Sequence, residues 1–261
     1  MAHIVSVLNQ KGGVGKTTTA LNLAAYLAEL GKFVLLVDID PQANATSGLG
    51  INHQELPAGV YEVLIGTHRP HQVIVPTQHD GLRLMPATQA LAGAAVELVS
   101  ADEREHFLRK ALLGIRNDFD YIIIDNPPSL GVLTINGLVA SDSVLIPVQA
   151  EYYALEGVGQ LVNTINLIKE NIKPELQIMG AVITMYDSRT RLSQEVLEEL
   201  YRYFPGKIFR SVIPRSIRLA EAPSFGKTII KYDPASKAAK AYERLAREFL
   251  LREETGAGAV M

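Results

Sequence analysis

A loop rich in glycine and lysine follows the first apolar segment of the chain. It runs from Lys11 to Thr18 (KGGVGKTT) and leads directly into a helical pattern. Glycines allow backbone amides to curl around a phosphate group, and the N-terminus of the following helix adds partial positive charge. We expect Lys16 to reach the β- and γ-phosphates of a nucleotide and the Thr17 hydroxyl to bind magnesium. The residues predicted to surround the phosphates are Gly12, Gly13, Val14, Gly15, Lys16, Thr17 and Thr18.

Acidic residues end two apolar segments further along the chain. Asp125 closes the segment YIIID, and Asp38 and Asp40 close the segment LLVDID. Phosphoryl transfer requires neutralised charge on the phosphate oxygens and an oriented water molecule, so carboxylates are expected near the loop. We therefore predict a magnesium site served by Thr17, Asp125 and Asp40. Asp38 supports either the loop or the magnesium shell, and the sequence leaves both interpretations open.

The strands and helices predicted around these residues indicate the fold that positions them. Short β-branched runs alternate with longer amphipathic stretches, and most of the short runs are apolar on both faces. This pattern predicts an α/β fold with a mostly parallel twisted sheet flanked by helices on both faces. The predicted strands are His3–Leu8, Phe33–Asp38, Leu82–Met85, Tyr121–Asp125, Ser143–Val148 and Ile178–Met185. The predicted helices are Thr17–Leu30, Gln89–Val99, Glu103–Arg116, Gly131–Ala140, Gly157–Ile168, Leu192–Tyr203 and Ala235–Leu251.

Composition narrows the class of protein. The chain of 261 residues has no cysteine, which excludes disulfides, thiolate metal sites and iron–sulfur clusters. No stretch approaches the roughly 18 apolar residues of a membrane span, and the N-terminus does not read as a signal peptide. We expect a single cytoplasmic domain over residues 1–254 and a disordered tail over residues 255–261.

The formal net charge of −3 hides an uneven distribution. Residues 1–201 hold 13 Lys and Arg against 22 Asp and Glu, whereas residues 202–247 hold 11 against 3. A basic region of this kind is either a solvated face or a contact for a polyanion such as DNA. The charge pattern by itself leaves both interpretations open.

The glycine-rich loop departs from the usual pattern G-x-x-x-x-G-K-[ST], because Gln10 occupies the position of the first glycine. It also carries an additional lysine, Lys11. This combination resembles the deviant Walker A motif of the ParA/MinD family of P-loop ATPases. In that family the additional lysine reaches across a dimer interface to the nucleotide of the other subunit. The resemblance implies that Lys11 binds nucleotide and takes part in catalysis in this way.

Other segments extend the resemblance from about residue 3 to about residue 250 and are similar to those of chromosomal (Soj-type) ParA partition ATPases. The resemblance implies ATP and Mg²⁺ as cofactors. It also implies that Asp40 positions or activates the attacking water and that Asn126–Ser129 senses the γ-phosphate. The segments that carry the resemblance are Gln42–Thr46, Leu91–Ala94, Pro147–Tyr153 and Glu221–Lys227.

The function of the family is implied in the same way. In the family, ATP closes a homodimer that binds double-stranded DNA without sequence preference, and a ParB-like partner stimulates slow hydrolysis. The resemblance therefore implies chromosome or plasmid segregation by a nucleoid-associated protein. Pro214 and Arg215 lie in a loop that could contact the adenine, and Arg215 could contact DNA instead. The implied DNA contacts are Arg189, Arg218, Lys227, Lys231 and Arg247.

Three other functions share parts of this pattern. A membrane-cycling ATPase of MinD type ends in a lysine-rich anchor, whereas the helix Ala238–Leu251 leads into the acidic segment Arg252–Gly256. We therefore expect no stable membrane association. The electron-transferring or metal-carrier branch relies on cysteine ligands, of which the chain has none. The third alternative is a nucleotide-gated binding module without hydrolysis, and Asp40 argues against it.

Overall fold

The computed structural model of the protein describes residues 1–98, 101–151 and 154–255. Its strands are β1 (His3–Val7), β2 (Val34–Asp38), β3 (Val75–Pro76), β4 (Leu82–Met85), β5 (Tyr121–Asp125), β6 (Ser143–Gln149) and β7 (Gln177–Thr184). They form one seven-stranded sheet in the order β3-β4-β2-β5-β1-β6-β7. Every pair of neighbouring strands is parallel except β3 and β4, which are antiparallel.

Helices cover both faces of this sheet, which confirms the predicted fold class. Two short 3-10 turns, Arg104–His106 and Ala222–Phe225, accompany them. The helices are α1 (Lys16–Glu29), α2 (Asn44–Gly48), α3 (Val60–Leu64), α4 (Pro70–Val73), α5 (Leu91–Glu97), α6 (Phe107–Leu113), α7 (Val132–Ala140), α8 (Ala154–Asn171), α9 (Arg191–Tyr203), α10 (Ile217–Glu221), α11 (Ile229–Tyr232) and α12 (Lys237–Thr255).

Strand β2 shows why the strands read as continuous apolar runs. Val34 and Leu36 pack with apolar residues of α1 and α12 on one face of the sheet. Leu35 and Val37 pack with residues of α3, α5 and α6 on the other face. All five residues of the strand are buried. A strand covered on both faces has no polar side, so the period-two alternation of a half-exposed strand is absent.

The register of the central strands brings the functional loops together. Val7 at the end of β1 pairs with Asp125 at the end of β5, and Asp125 pairs with Asp38 at the end of β2. Because these strands are parallel, the chain leaves all three at the same edge of the sheet. The glycine-rich loop and the two acidic strand ends therefore start from adjacent positions.

The region between residues 48 and 81, for which the sequence analysis predicts no helix or strand, contributes elements to the fold. It contains α3, α4 and the edge strand β3, whose Val75 and Pro76 pair with Leu84 and Arg83 of β4. Proline is tolerated in an edge strand, where one side needs no hydrogen-bond donor. The helices α2, α10 and α11 were not predicted either, because four or five residues are too short for a periodic signal.

The C-terminal helix α12 packs on the sheet. Tyr242, Leu245 and Phe249 are buried in the core that also contains α1. The Tyr242 hydroxyl lies 3.3 Å from the Thr19 hydroxyl of α1, and the Phe249 ring meets the Tyr121 ring edge to face, with centroids 5.4 Å apart. The apolar face of the helix is thus covered by protein. Within the part of the chain that the structure describes, no helix is long and apolar enough to cross a membrane.

Some sequence predictions fall outside the described residues. Val99, the predicted end of one helix, is one of them, and Tyr152 and Tyr153 of the segment Pro147–Tyr153 are others. Helix α12 continues through Thr255, the first residue of the predicted tail. Residues 256–261 lie outside the described residues.

Candidate nucleotide-binding site

Two glycines give the loop between β1 and α1 its shape. Gly13 and Gly15 have φ angles of 76° and 87°, in the left-handed region that residues with a Cβ disfavour. Among the described residues, no atom lies within 4 Å of the position that a Cβ of Gly12 or Gly13 would occupy. The backbone of the loop is therefore open to close approach by a phosphate group.

The first turn of α1 offers hydrogen-bond donors. The helix begins at Lys16 after Gly15, and no described side chain caps its N-terminus. Backbone N–H groups in the first turn of a helix have no partner within the helix and carry partial positive charge. Thr17 and Thr18 belong to this turn and line the cavity beside the loop. This end of the helix suits an anion, as the sequence predicts.

The amine of Lys16 is held close to the loop. Its Nζ donates a hydrogen bond to the carbonyl of Lys11 at 3.1 Å, and only 7% of the residue is exposed. Burial lowers the pKa of this amine, whereas the carboxylates of Asp125 and Asp40 act to raise it. A cation in this position can offset the negative charge of terminal phosphates.

The carboxylate of Asp125 is poorly satisfied. It is fully buried, and neither oxygen forms a well-aligned hydrogen bond with a described residue, although the Thr17 hydroxyl is close enough to stabilise its charge. Burial raises the pKa of Asp125 well above its usual value and the neighbouring Asp38 adds to this, whereas Thr17 and Lys16 act in the opposite direction. A buried charge of this kind is stable only with a cation beside it. Together with the Thr17 hydroxyl, the oxygen atoms fit the ligand set that Mg²⁺ prefers.

Asp38 has a structural role, which resolves the alternative that the sequence left open. Its Oδ2 accepts hydrogen bonds from the backbone N and the hydroxyl of Thr46 at 2.8 and 2.7 Å. Its Oδ1 accepts one from the backbone N of Asp40 at 3.2 Å. Burial raises the pKa of Asp38 to about 6 against the effect of these bonds. Asp38 thus supports the loop, and the part that Thr46 plays in holding it was not recognised from the sequence.

Asp40 faces the nucleotide cavity. It lines a cavity of about 580 Å³ together with Lys16, Thr17 and Pro128 of the predicted γ-phosphate-sensing segment. Its Oδ1 accepts a hydrogen bond from the backbone N of Gln42 at 3.0 Å, which fixes the turn after β2. The cavity is therefore lined by most of the predicted phosphate residues, by Thr17 of the predicted magnesium site and by Asp40, whereas Asp125 and Val14 are buried and do not line it.

The side chain of Lys11 lies apart from the other predicted phosphate-binding residues. It is not among the described residues that line this cavity. Its Nζ lies 3.1 Å from Oε2 of Glu151, and its side chain is 42% exposed. The guanidinium of Arg215 lies 3.8 Å from Oε1 of the same carboxylate. Within one chain, Lys11 therefore does not reach the phosphate cavity, and its amine is accessible to a second molecule.

A second cavity of about 340 Å³ opens beside the first. Gly15, Thr18 and Met185 line both cavities. Pro214 and Arg215, the residues predicted to contact adenine, lie in the wall of the second cavity, most of which is apolar. An apolar slot next to a phosphate loop fits a nucleotide base. Met185 has a left-handed φ of 52°, which is backbone strain of the kind found at functional sites.

Two polar side chains that the sequence analysis missed hold the loop in place. Asn9 donates a hydrogen bond to the carbonyl of Pro147 at 2.7 Å and accepts one from the backbone N of Lys11 at 3.0 Å. The hydroxyl of Thr184, at the end of β7, donates to the carbonyl of Val14 at 2.7 Å. Val14 is 1% exposed, so it contributes backbone rather than side chain. A polar residue at the end of an apolar strand was the available signal.

Known proteins similar to the chain indicate its family. The family described as "AAA domain" matches residues 2–178. The sporulation initiation inhibitor protein Soj of Bacillus subtilis is 54% identical over 248 residues, which cover 95% of this chain and 98% of that protein. The chain belongs to the ParA/Soj family of partition ATPases. The chromosome partitioning protein ParA of Myxococcus xanthus is 50% identical over 253 residues, covering 97% of this chain and 89% of that protein.

A solved structure extends the likeness to the ParA/Soj fold in three dimensions. It is the cobyrinic acid a,c-diamide synthase from Mycobacterium smegmatis with bound ATP analog and magnesium. The two chains are 40% identical with a TM-score of 0.87, and the match covers 98% of this chain and 97% of that one. The whole fold described above is therefore shared with a protein that holds a nucleotide and magnesium.

The basic residues that the ParA/Soj resemblance implies for DNA contact lie on several elements. Arg218 is on α10, Lys231 is on α11, and Lys227 lies between these helices. Arg189 precedes α9, and Arg247 is on α12. Three of the five therefore share one stretch of chain, and the other two lie elsewhere on the molecule's elements.

The implied DNA contacts also differ in their partners. Three arginines pair with acids close in sequence, and exposed pairs of this kind are worth about 0–1 kcal/mol, so phosphates can displace them. Lys227 and Lys231 are exposed and belong to none of the ion pairs between described residues. The arginine pairs are Arg189–Asp187 (2.6 Å), Arg218–Glu221 (3.1 Å) and Arg247–Glu243 (2.9 Å).

Proposed function

We propose that the protein is a magnesium-dependent ATPase that dimerises with ATP, binds double-stranded DNA without sequence preference in that state, and drives chromosome or plasmid segregation. A ParB-like partner stimulates its slow hydrolysis. The observation that carries the proposal is the carboxylate of Asp125, which is fully buried beside Lys16 and Thr17 and forms no well-aligned hydrogen bond with a described residue. A buried carboxylate in that position needs a cation to stabilise its charge. The adjacent glycine-rich loop indicates that a nucleotide binds beside it.

Each residue of the site has a role in hydrolysis. The backbone of Gly12–Gly15 and the first turn of α1 bind the phosphates, and Lys16 neutralises charge on the terminal groups. Thr17 and Asp125 hold Mg²⁺, which offsets the charge of the phosphate oxygens when it is bound. Asp40, also near the metal, orients the attacking water and accepts its proton.

Adenine nucleotide is the ligand that these features support best. The Mycobacterium smegmatis structure, 40% identical to this chain, has a bound ATP analog and magnesium. The cavity of about 340 Å³ beside the loop suits a purine base, and Pro214 and Arg215 border it. The preference for adenine over guanine rests on the resemblance to the family.

Dimerisation accounts for the position of Lys11. The amine pairs with Glu151 at the surface, outside the phosphate cavity of its own chain. In a dimer closed over two nucleotides, Lys11 exchanges Glu151 for the phosphates of the partner subunit. The exchange replaces an exposed ion pair of about 0–1 kcal/mol with a contact to a more highly charged group.

DNA binding accounts for the basic region between residues 202 and 247, which holds 11 Lys and Arg against 3 acids. Contacts to phosphates rather than to base edges give affinity without sequence preference. The curated relatives are named as a chromosome partitioning protein and as Soj, which supports segregation as the process. A protein of this kind is cytoplasmic, acts as one domain over residues 1–254 and associates with the nucleoid.

A membrane-cycling ATPase of MinD type is the alternative. It requires an amphipathic segment that is free to enter a bilayer surface. The apolar face of α12 is buried against α1, with Phe249 fully covered. Sedimentation with anionic liposomes in the presence of ATP distinguishes the two functions, since recovery of the protein with the lipid would favour the alternative.

Phosphate release from ATP tests the enzymatic part of the proposal. We expect slow turnover by the protein alone, faster turnover with DNA and a ParB-like partner together, and none after removal of Mg²⁺ with a chelator. Absence of turnover under every condition would contradict the proposal and favour a nucleotide-gated binding module.

A further inference from the structure

A short segment, residues 217–233, joins the phosphate cavity to the basic surface, and we call it the basic segment. It comprises α10, the turn Ala222–Phe225 and α11. Pro223 and Ser224 line the phosphate cavity. The same stretch of chain therefore touches the site proposed for nucleotide and carries residues proposed for DNA. These basic residues are Arg218, Lys227 and Lys231.

Two glycines form a direct backbone contact between this segment and the region after α2. A Cβ added to Gly226 would lie 2.5 Å from the Cα of Gly50, and one added to Gly50 would lie 3.1 Å from the carbonyl oxygen of Gly226. Both residues have left-handed φ angles, 62° for Gly226 and 77° for Gly50. With no side chain between the two backbones, no rotamer change can absorb a movement of one against the other.

Helix α2 connects Gly50 to the acidic strand end. Thr46 in this helix is bonded to Asp38 through its backbone N and its hydroxyl, at 2.8 and 2.7 Å. The turn that leads into the helix starts at Asp40, whose carbonyl accepts a hydrogen bond from the backbone N of Ala43 at 2.9 Å. A shift of Asp40 toward a phosphate therefore moves α2, and Gly50 moves with it.

Hydrogen bonds also hold the basic segment to α1 and to the loop before β4. The backbone N of Ile229 donates to the side chain of Asn22 at 2.8 Å, and that side chain donates to the carbonyl of Thr18 at 2.8 Å. The side chain of Gln78 donates to the carbonyl of Gly226 at 2.5 Å. The basic segment is thus fixed to α1, which begins at the nucleotide cavity, and to the loop before β4.

We propose that the Gly50–Gly226 contact sets the position of the basic segment according to the state of the nucleotide site, so that nucleotide controls DNA affinity through this contact. The inference rests on the proposed function, because it requires nucleotide-gated DNA binding. Neither glycine lines either cavity. Both are positioning residues: a Cβ at Gly226 has no space beside the Gly50 backbone, and Gly50 combines a left-handed φ with a tight contact to the carbonyl of Gly226.

Gly226→Ala tests the contact, and Gly66→Ala is its matched control. Gly66 also has a left-handed φ, 77°, but no described atom lies within 4 Å of its added Cβ. Alanine is strained at a left-handed φ, so both variants should lose stability for that reason, but only Gly226→Ala places a Cβ against a neighbouring residue. The readout is the ratio of affinity for a random-sequence DNA duplex with a non-hydrolysable ATP analogue to that with ADP. We expect Gly226→Ala to reduce this ratio by about ten-fold or more, and Gly66→Ala to preserve it.

The affinity for the ATP analogue is measured in parallel and should stay within about two-fold of the unsubstituted protein. A ratio in Gly226→Ala equal to that of the unsubstituted protein overturns the inference. Loss of analogue binding together with the ratio also overturns it, because the contact would then belong to the nucleotide site. If the unsubstituted protein binds DNA equally with both nucleotides, the proposed function itself fails, and the inference falls with it.

Hydrogen exchange on the unsubstituted protein gives a second test that does not depend on the folding of a variant. We expect the ATP analogue, but not ADP, to change amide exchange over residues 226–233 as well as over α2. Residues 226–233 do not line the phosphate cavity, so a change in their exchange does not come from contact with the nucleotide of the same chain. Exchange over residues 226–233 that is the same with both nucleotides overturns the inference.

Discussion

Asp38, the last residue of β2, and Asp40, two residues later, have different contacts in the site. Asp38 accepts three hydrogen bonds from Thr46 and Asp40 and shapes the turn. Asp40 lines the phosphate cavity and is 6% exposed. The hydrogen bonds of Asp38 hold it in the turn and it does not line the cavity, whereas Asp40 faces the space where an attacking water would stand. We therefore propose the catalytic role for Asp40.

Asp40→Ala is expected to slow ATP hydrolysis by about 10²–10⁴-fold, the usual contribution of a general base. Binding of ATP and dimerisation should persist, so the variant should accumulate as an ATP-bound dimer on DNA. Phosphate release and DNA co-sedimentation measure the two effects. Lys16→Ala is the control and should lose nucleotide binding altogether. Hydrolysis at an unchanged rate in Asp40→Ala would refute the assignment of the water.

A second prediction for a single residue concerns the contribution of His79 to the pH dependence of stability. It is 3% exposed, and its Nε2 lies 3.0 Å from the Thr228 hydroxyl. Burial lowers the pKa of His79 to about 4 and Lys231 adds to this, whereas Asp80 acts in the opposite direction. The unfolded chain therefore binds the proton more tightly, and stability present above about pH 6.5 is lost as the pH falls toward about 4.

The size of this effect follows from the pKa difference. Between pH 7 and pH 5 His79 should account for about 2 kcal/mol of the loss in unfolding free energy. His79→Gln should remove that part of the pH dependence, as measured by denaturant unfolding at both pH values. An equal loss in the variant and the unsubstituted protein would show that His79 does not titrate in this way.

At the scale of secondary-structure elements, substitutions in α12 test whether this helix is packed in the core or is free to act as a membrane anchor. Phe249 is fully buried against Tyr121, whereas Leu251 on the same helix is 59% exposed. Phe249→Ala should lower the unfolding free energy by about 3–5 kcal/mol, and Leu251→Ala should change it by about 0.5 kcal/mol or less. Denaturant unfolding measures both. Similar small effects of the two substitutions would indicate that the helix is not part of the core.

The long elements were predictable from sequence, and the short ones were not. Apolar runs such as Tyr121–Asp125 can be recognised because burial on both faces of a strand strongly restricts its residue types. The glycine-rich loop can be recognised because phosphate binding restricts residue types in the same way. The resemblance separated Asp40 from Asp38, but whether Asp38 supports the loop or the magnesium shell could not be decided from sequence, because that depends on its hydrogen bonds to Thr46 in the fold. Asn9 and Thr184 support the loop through contacts with residues far away in sequence, which no local pattern records.

For the whole molecule, the proposed dimer can be tested at Lys11, whose amine pairs with Glu151 and which does not line the phosphate cavity of its own chain. Lys11→Ala should leave ATP binding by the monomer within a few-fold of normal, because Lys11 lies outside its own cavity. Dimerisation with a non-hydrolysable ATP analogue should weaken by about ten-fold or more. Analytical ultracentrifugation with the analogue measures this, and Lys32→Ala, at the opposite edge of the sheet, is the control. Unaltered dimerisation of Lys11→Ala would remove the proposed contact between subunits.

The path from nucleotide to DNA is also a property of the whole chain. The sequence marked Glu221–Lys227 as part of a family resemblance and the region 202–247 as basic, but it gave no sign that Gly226 meets Gly50 or that Asn22 holds Ile229. Contacts between residues that are more than a hundred positions apart depend on the folded sheet. They could be found only after the fold was known.

DNA co-sedimentation with ADP, with ATP and with a non-hydrolysable ATP analogue, each at low and moderate salt, tests the central claim most directly. Arg218→Ala is included and should bind more weakly to every DNA sequence alike while still dimerising. The account predicts that DNA is bound only with ATP or the analogue and that binding weakens as salt rises. Absence of DNA binding in every nucleotide state, or equal binding with ADP and the analogue, would contradict it.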